Sequence, residues 1–376
     1  MTMNRQHAVR IGAAVAAVAA ATALATGPAT AVPRSAGDAR TGTAATGTAA
    51  TGTAATGTAA TGTAATGTAA TGTAATGTAA TGTAATGTAA TGTAATGTAA
   101  TGTAATGSVS ARETAADKAL VTYVYKQLFT YYDTSVIDEY VSPDYIQHNP
   151  NVANGPEALR RLVENLKATA TPGSASVTTH VIAQGDLVLL QTHAGTSDTF
   201  SGIGLVDVFR VEHHKIVEHW DTIQPVPATT ANGHDMFATL TSPQTDAAGP
   251  ASHTAASERV VRAYVQQLTG RKDVTAVDRY VAPDLVQHDP ALADGAAATK
   301  QAYTALFAAH PQYQATVAKV VAEGDLVAVH LHDQNSPSDL GTSVYEIFRV
   351  HHGRIVEHWA LTQAVPATSV NGNSMF

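Results

Sequence analysis

Along the stretch Lys215–Thr229, KIVEHWDTIQPVPAT, a histidine and an aspartate stand two residues apart, His219 and Asp221. If the stretch is a strand, side chains alternate between its faces. Val217, His219, Asp221 and Ile223 then share one face, and Ile216, Glu218, Trp220 and Thr222 the other. The first face is apolar at its ends and polar in the middle. Burial there raises a carboxyl pKa and a charged imidazole lowers it. Such a pair suits proton transfer to and from a carbon acid. The bland alternative is a satisfied polar pair or a water-facing one. A near-copy, RIVEHWALTQAVPAT, runs from Arg354 to Thr368, keeps His358 and has Ala360 in place of Asp221.

The elements that must hold these residues come twice. YVSPDYIQHNPNVANG (140–155) matches YVAPDLVQHDPALADG (280–295), and DVFRVEHHKIVEHW (207–220) matches EIFRVHHGRIVEHW (346–359). The boundaries expected are 112–237 for the first copy, 238–252 for a linker and 253–376 for the second copy. Each copy opens with helical spacing, with Leu120, Val124 and Leu128 on one face, and a second helix begins at Pro156, where a missing N–H costs little. Period-two stretches such as DLVLLQTH, GLVDVFRV and KIVEHWDTIQ then read as strands. Helices followed by an antiparallel sheet give an α+β domain. His213-His214 mark a hairpin between the last two strands. A plain two-residue turn pairs Asp207 with Trp220, away from Asp221; a bulge or longer loop shifts the register by one and reverses this.

Length, charge and the N-terminal region bound the function. The chain has 376 residues, a formal net charge of -8 and no cysteine. No basic cluster is present, so a nucleic-acid partner is not expected. Residues 1–31, with Arg5 and Arg10 ahead of the apolar run IGAAVAAVAAATALA, read as a secretory signal peptide cleaved after Ala31, which makes the protein secreted. Without cysteine, neither a lipid-modified anchor nor a disulfide is expected. Residues 32–111 hold the pentapeptide TGTAA, repeated 13 times from Thr41 to Ala105. Because the repeat lacks charge and large apolar groups, it is expected to be disordered, either a spacer or a repeat expansion without a role.

With these residues in hand, both copies resemble the SnoaL-like polyketide cyclases of the NTF2-like superfamily. The resemblance rests on Gln147-His148-Asn149-Pro150, Gly185-Asp186, Asp207-Val208-Phe209-Arg210 and Glu218-His219-Trp220-Asp221. It implies two tandem cones, each a curved antiparallel sheet wrapped around helices, with a pocket at the open end. It implies that Asp221 removes an acidic proton to form an enolate, with His219 near the substrate and no metal or cofactor. Asp207 stands where the family carries a histidine. His148, Gln147, His193, Asp207 and Trp220 are the expected substrate contacts, and His288, His332, Glu346 and His358 are the second-copy equivalents of site residues. His219, His193, His148 and Asp221 are also zinc-ligand types, but no short histidine spacing supports zinc. Met236-Phe237 and Met375-Phe376 are expected as apolar plugs.

Three functions remain open at this stage. One is a secreted enzyme, an aldol-type cyclase or isomerase, in which the second copy is degenerate. Another is a non-catalytic secreted module binding a small apolar or polyoxygenated molecule. The last is a structural surface protein. The resemblance further implies that the copies pair through their sheets, as an intramolecular pseudo-dimer or between chains.

Overall fold

The computed structural model describes residues 110–172, 174–196, 201–237 and 247–376, together with the backbone of five short repeat strands, Thr56–Thr61, Ala69–Thr71, Thr76–Thr81, Ala89–Thr91 and Ala100–Thr101. The expected signal peptide, the rest of the repeat and residues 238–246 of the expected linker lie outside the described residues.

The first copy begins with helix α1, Ala111–Phe129. Its start is fixed by a capping box: Ser110 Oγ accepts from Glu113 N at 3.2 Å, and Glu113 Oε2 accepts from Ser110 N at 2.8 Å. Two orphan N–H groups are thereby satisfied. The face bearing Val121, Val124 and Leu128 is buried. A short helix α2 (Val136–Tyr140) runs into strand β1 (Val141–Gln147). Gly155, at φ 89°, turns the chain into helix α3 (Pro156–Thr169), which has proline in its first turn. A side chain at that φ would be strained. Four long strands follow: β2 (Ala175–Gln184), β3 (Leu187–Thr196), β4 (Ile203–Glu212) and β5 (Lys215–Pro225). The sheet order is β1-β5-β4-β3-β2, with β1 parallel to β5 and the other pairs antiparallel. The helices cover one face, where Val121, Leu128, Ile137, Val163, Val188 and Phe209 form the core.

The β4–β5 hairpin decides what faces the helices. His213 (φ 52°) and His214 (φ 59°) both lie in the left-handed region, which is the two-residue type I′ turn. By itself this turn would set Asp207 against Trp220. A bulge at Val217 inserts one residue, so that Glu218 pairs with Arg210 and Asp221 lies directly opposite Asp207. The bulge also corrects the expected alternation. Ile216, rather than Val217, joins the helix-side core, and His219, Asp221 and Ile223 still face inward.

The second copy repeats this order: α4 (Thr254–Val265, continued by a π turn, Gln266–Gly270), α5 (Thr275–Tyr280), β6 (Val281–Gln287), α6 (Ala296–Ala309), β7 (Gln314–Glu323), β8 (Leu326–Gln334), β9 (Thr342–His351) and β10 (Arg354–Ala364). Its sheet order is β6-β10-β9-β8-β7. The outer faces of the two sheets share one apolar cluster. Ile182, Leu189, Val208 and Trp220 meet Tyr345, Ile347, Trp359 and Leu361. Reciprocal hydrogen bonds edge the contact. Gln184 Oε1 accepts from Ala322 N and Glu323 Oε2 from Ala183 N, both at 2.8 Å. Gln224 Oε1 accepts from Thr362 N at 2.8 Å, and Gln363 Oε1 from Ile223 N at 2.7 Å. Among the described residues no helix is long and apolar enough to cross a membrane.

Candidate active site

In the first copy the helices and the concave sheet face enclose a cavity of about 220 Å³. Val124, Leu128, Leu159 and Ile203 give it an apolar wall, and Gln147, Asn149, Asp207, His219 and Asp221 a polar end. The opposed register of β4 and β5 brings the two carboxylates together with the histidine between them. His219 Nε2 lies 3.0 Å from Asp207 Oδ1, and His219 Nδ1 lies 2.7 Å from Gln147 Oε1. Gln147 Oε1 also accepts from Asn149 N at 2.9 Å, which fixes it as an acceptor. Nδ1 must therefore donate. Nε2 then either donates too, as an imidazolium beside a carboxylate, or accepts from a protonated Asp207. Either way one proton is shared within the His219–Asp207 pair. The Tyr125 hydroxyl donates to Asp207 Oδ2 at 3.0 Å.

Asp221 is held differently. Asn149 Nδ2 donates to its Oδ2 at 2.7 Å, while its buried Oδ1 has no hydrogen-bond partner. Burial pushes the carboxyl up to about 6; His219 draws it down, Asp207 pushes it up, and the Asn149 bond lowers it. A carboxyl poised near neutrality, with one oxygen uncommitted in an apolar cavity, is equipped to take and return protons.

The expected contacts divide by face. Gln147, Asp207, His219 and Asp221 come together at the cavity. His148, His193 and Trp220 do not, which corrects the expectation for all three. Strand alternation turns His148 outward, where it stacks on Trp220 (ring centroids 4.8 Å apart) and binds Glu218 at 2.8 Å. Trp220 lies in the cluster between the sheets, under Lys319 Nζ at 3.8 Å from its ring centroid. His193 stacks on Phe237 and holds the carbonyl of Ser201 at 2.7 Å, whereas its neighbour Thr192 lines the cavity. Met236 and Phe237 likewise join the inter-sheet cluster. The zinc-type set is not assembled, since two of its histidines point outward. Among the described residues, the groups close enough to share an ion are Asp207, His219 and Asp221, whose ligand atoms lie within 4.8 Å of one another.

Asn149, Tyr125 and Tyr145 escaped the sequence reading. Asn149 had a signal: it becomes Asp289 in the copy where Asp221 becomes Ala360. The tyrosines carried the same signal, since Tyr145 becomes Leu285 and Tyr125 becomes Val265, but by type alone they read as core aromatics.

The second copy departs at this same place. His358 Nδ1 still meets Gln287 Oε1 at 2.7 Å, but Glu346 faces Ala360 and lies 3.9 Å from His358 Nε2. Burial pushes Glu346 up to about 8 and His358 down to about 3, so both are neutral at pH 7. The Tyr303 hydroxyl donates to Glu346 at 3.2 Å, and Tyr303 and Phe307 pack on the core. His288 faces outward against Trp359, and His332 stacks on Phe376; these two are corrected in the same way as His148 and His193.

Two α+β cones, one with an acid–base cavity, define the class of protein. A family model described as SnoaL-like domain matches residues 121–219 and 261–358, and the chain belongs to that family. Among solved structures it is similar to an NTF2-like protein of unknown function from Mesorhizobium loti (18% identity, 32% of this chain and 100% of that one, TM-score 0.28). It is also similar to TsrD from Streptomyces laurentii (19% identity, 29% and 88% of the two chains, TM-score 0.24) and to an LEH-like epoxide hydrolase from M. tuberculosis (20% identity, 30% and 85%, TM-score 0.26). No curated protein matches the chain.

Proposed function

We propose that the first copy is a cofactor-independent enzyme acting on a carbon acid, with Asp221 as the proton-transfer group. The observation that carries this is the uncommitted, buried Oδ1 of Asp221 in an apolar cavity, on a carboxyl that ionises at about 6. Asp221 takes a proton from a carbon beside a carbonyl, leaving an enolate. Returning the proton at another carbon makes the protein an isomerase. Attack of the enolate on a second carbonyl of the same molecule makes it an aldol-type cyclase. Tyr145 Oη accepts from Gln147 Nε2 at 3.4 Å, and its own proton serves a substrate oxygen. The His219–Asp207 pair shares one proton and is neutral as a whole, so it sets no net negative charge against the developing anion. The cavity volume and apolar wall favour a small, largely apolar substrate.

On this reading the second copy, with Ala360 and a neutral Glu346, takes no part in chemistry. It pairs with the first through the sheets as a pseudo-dimer in one chain, and the protein acts outside the cell. The second reading, binding without turnover, is favoured by the full hydrogen bonding of His219, which leaves Asp221 Oδ1 and the Tyr145 hydroxyl, but no imidazole, for chemistry. Deuterium incorporation at substrate carbon in heavy water, lost in Asp221→Asn, separates the two.

A further inference from the structure

We infer that the end of the second copy is a working part of the first copy's site: Asn371 and Asn373 position the loop carrying Gln147 and Asn149, and through Asn149 they set the direction of the Asp221 carboxylate. The consequence for turnover rests on the proton-transfer reading of Asp221; the geometry does not.

The loop between β1 and α3 is held partly from within: Asn154 Oδ1 accepts from Gln147 N, Gln147 Oε1 from Asn149 N and Asn149 Oδ1 from Asn151 N, each at 2.9 Å, and His148 N donates to the His219 carbonyl at 2.9 Å. Val152 N reaches Asn149 O at 3.2 Å, and Gly155 N reaches Tyr145 O at 2.8 Å. The carbonyls of Gln147, Asn149, Pro150 and Val152 are met by the other copy's tail. Asn371 Nδ2 donates to Asn149 O at 2.6 Å and to Val152 O at 2.8 Å. Asn373 Nδ2 donates to Gln147 O and to Asn154 Oδ1, both at 2.9 Å. Val370 N donates to Pro150 O at 2.9 Å, and the Ser374 carbonyl meets His148 Nδ1. The tail is itself braced, because Asn371 Oδ1 accepts from Ser369 Oγ at 2.6 Å and from Asn373 N at 2.8 Å. Both residues gripped by their carbonyls, Gln147 and Asn149, place side chains in the acid–base cluster. Asn149 holds Asp221 Oδ2, and that bond determines which carboxylate oxygen is left for substrate. Displacing a catalytic group by even about 1 Å lowers rates steeply, so a strap on this loop acts on the chemistry.

The molecule contains its own control. The first copy's tail straps the second copy's loop in the same manner: Asn232 Nδ2 donates to Asp289 O at 2.7 Å and to Leu292 O at 2.9 Å. That loop carries Asp289, and Ala360 stands at the position that matches Asp221. Removing Asn232 therefore loosens an equivalent strap without touching Asp221.

The test is a carbon-13 NMR titration of the Asp221 carboxyl in the full chain, with the resonance assigned by Asp221→Asn. Asn371→Ala and Asn373→Ala weaken the Asn149 bond, which lowers the Asp221 pKa, so both are expected to raise the midpoint by about half a unit or more. Asn232→Ala is expected to leave the midpoint in place while lowering the melting temperature comparably. If Asn371→Ala leaves too little folded protein to titrate, Asn373→Ala decides by the same criterion. An unchanged midpoint in the folded tail variants, or an equal shift in Asn232→Ala, overturns the proposal. Because the midpoint is read without substrate, a shift in a protein that exchanges no carbon-bound proton would sink the enzymatic reading and leave the strap standing.

Discussion

Burial lifts the Asp221 carboxyl to about 6 in the folded protein, against about 3.9 for a free aspartate. Between those values the folded protein holds a proton that the unfolded chain releases. The contribution of this group to stability is full below about pH 4 and is lost as pH rises through 6, by at most about 3 kcal/mol. Asp221→Asn removes that dependence. The amide oxygen still accepts from Asn149, and no buried charge forms. The variant is expected to melt a few degrees above the wild type at pH 8, with the gap closing toward pH 4, when thermal denaturation is followed at both. A gap independent of pH would mean that the charged carboxylate is fully compensated in the folded state. This pattern is the mark of a group held for work at some expense to the fold, and Ala360 is the relaxed alternative at the matching position.

At the scale of elements the β4–β5 hairpin carries the site, and its legibility was uneven. The strands, the turn position at His213-His214 and the shared facing of His219 and Asp221 were readable, because alternation and turn position follow from local sequence. The bulge at Val217 was not, since nothing in KIVEHW distinguishes a regular strand from a bulged one. Asp207 therefore could not be placed until the pairing was known. The histidines misled for a related reason: residue type suggested a polar pocket, while alternation in β1 and β3 turns His148 and His193 outward. The turn itself is suboptimal, as His214 occupies a left-handed conformation (φ 59°) that the second copy gives to Gly353 (φ 75°). His214→Gly is expected to stabilise the protein by roughly 0.5–1 kcal/mol in denaturant melts, with the Asp221 titration unchanged. A loss of stability would show that His214 makes a contribution beyond its backbone.

Over the whole molecule, the duplication and the α+β class were plain in the sequence, because both rest on long matched segments. How the copies meet was not, because the outer faces of the sheets mix Trp220 and Leu189 with buried polar groups such as His180 and Gln191. The shared apolar cluster predicts that both copies unfold together. Trp359 is fully buried in it, and truncating such a side chain costs about 3–5 kcal/mol. In Trp359→Ala the one remaining tryptophan is Trp220, in the other copy. Its fluorescence transition is expected to move down with the calorimetric one as a single event. Separate transitions would show two independent cones. The strap at Asn371 and Asn373 adds a functional reason for the copies to remain joined once one has lost its carboxylate.

The central claim, that Asp221 transfers protons at carbon, is tested most directly by deuterium exchange into small molecules. The full chain is incubated in heavy water with a panel of enolisable ketones, esters and aromatic polyketides, and deuterium at carbon is read by mass spectrometry. The account predicts incorporation into at least one compound, at a rate that rises with pH through about 6 and drops about 100-fold or more in Asp221→Asn. Equal incorporation in Asp221→Asn, or none into a compound that raises the melting temperature, would contradict it and leave a binding module.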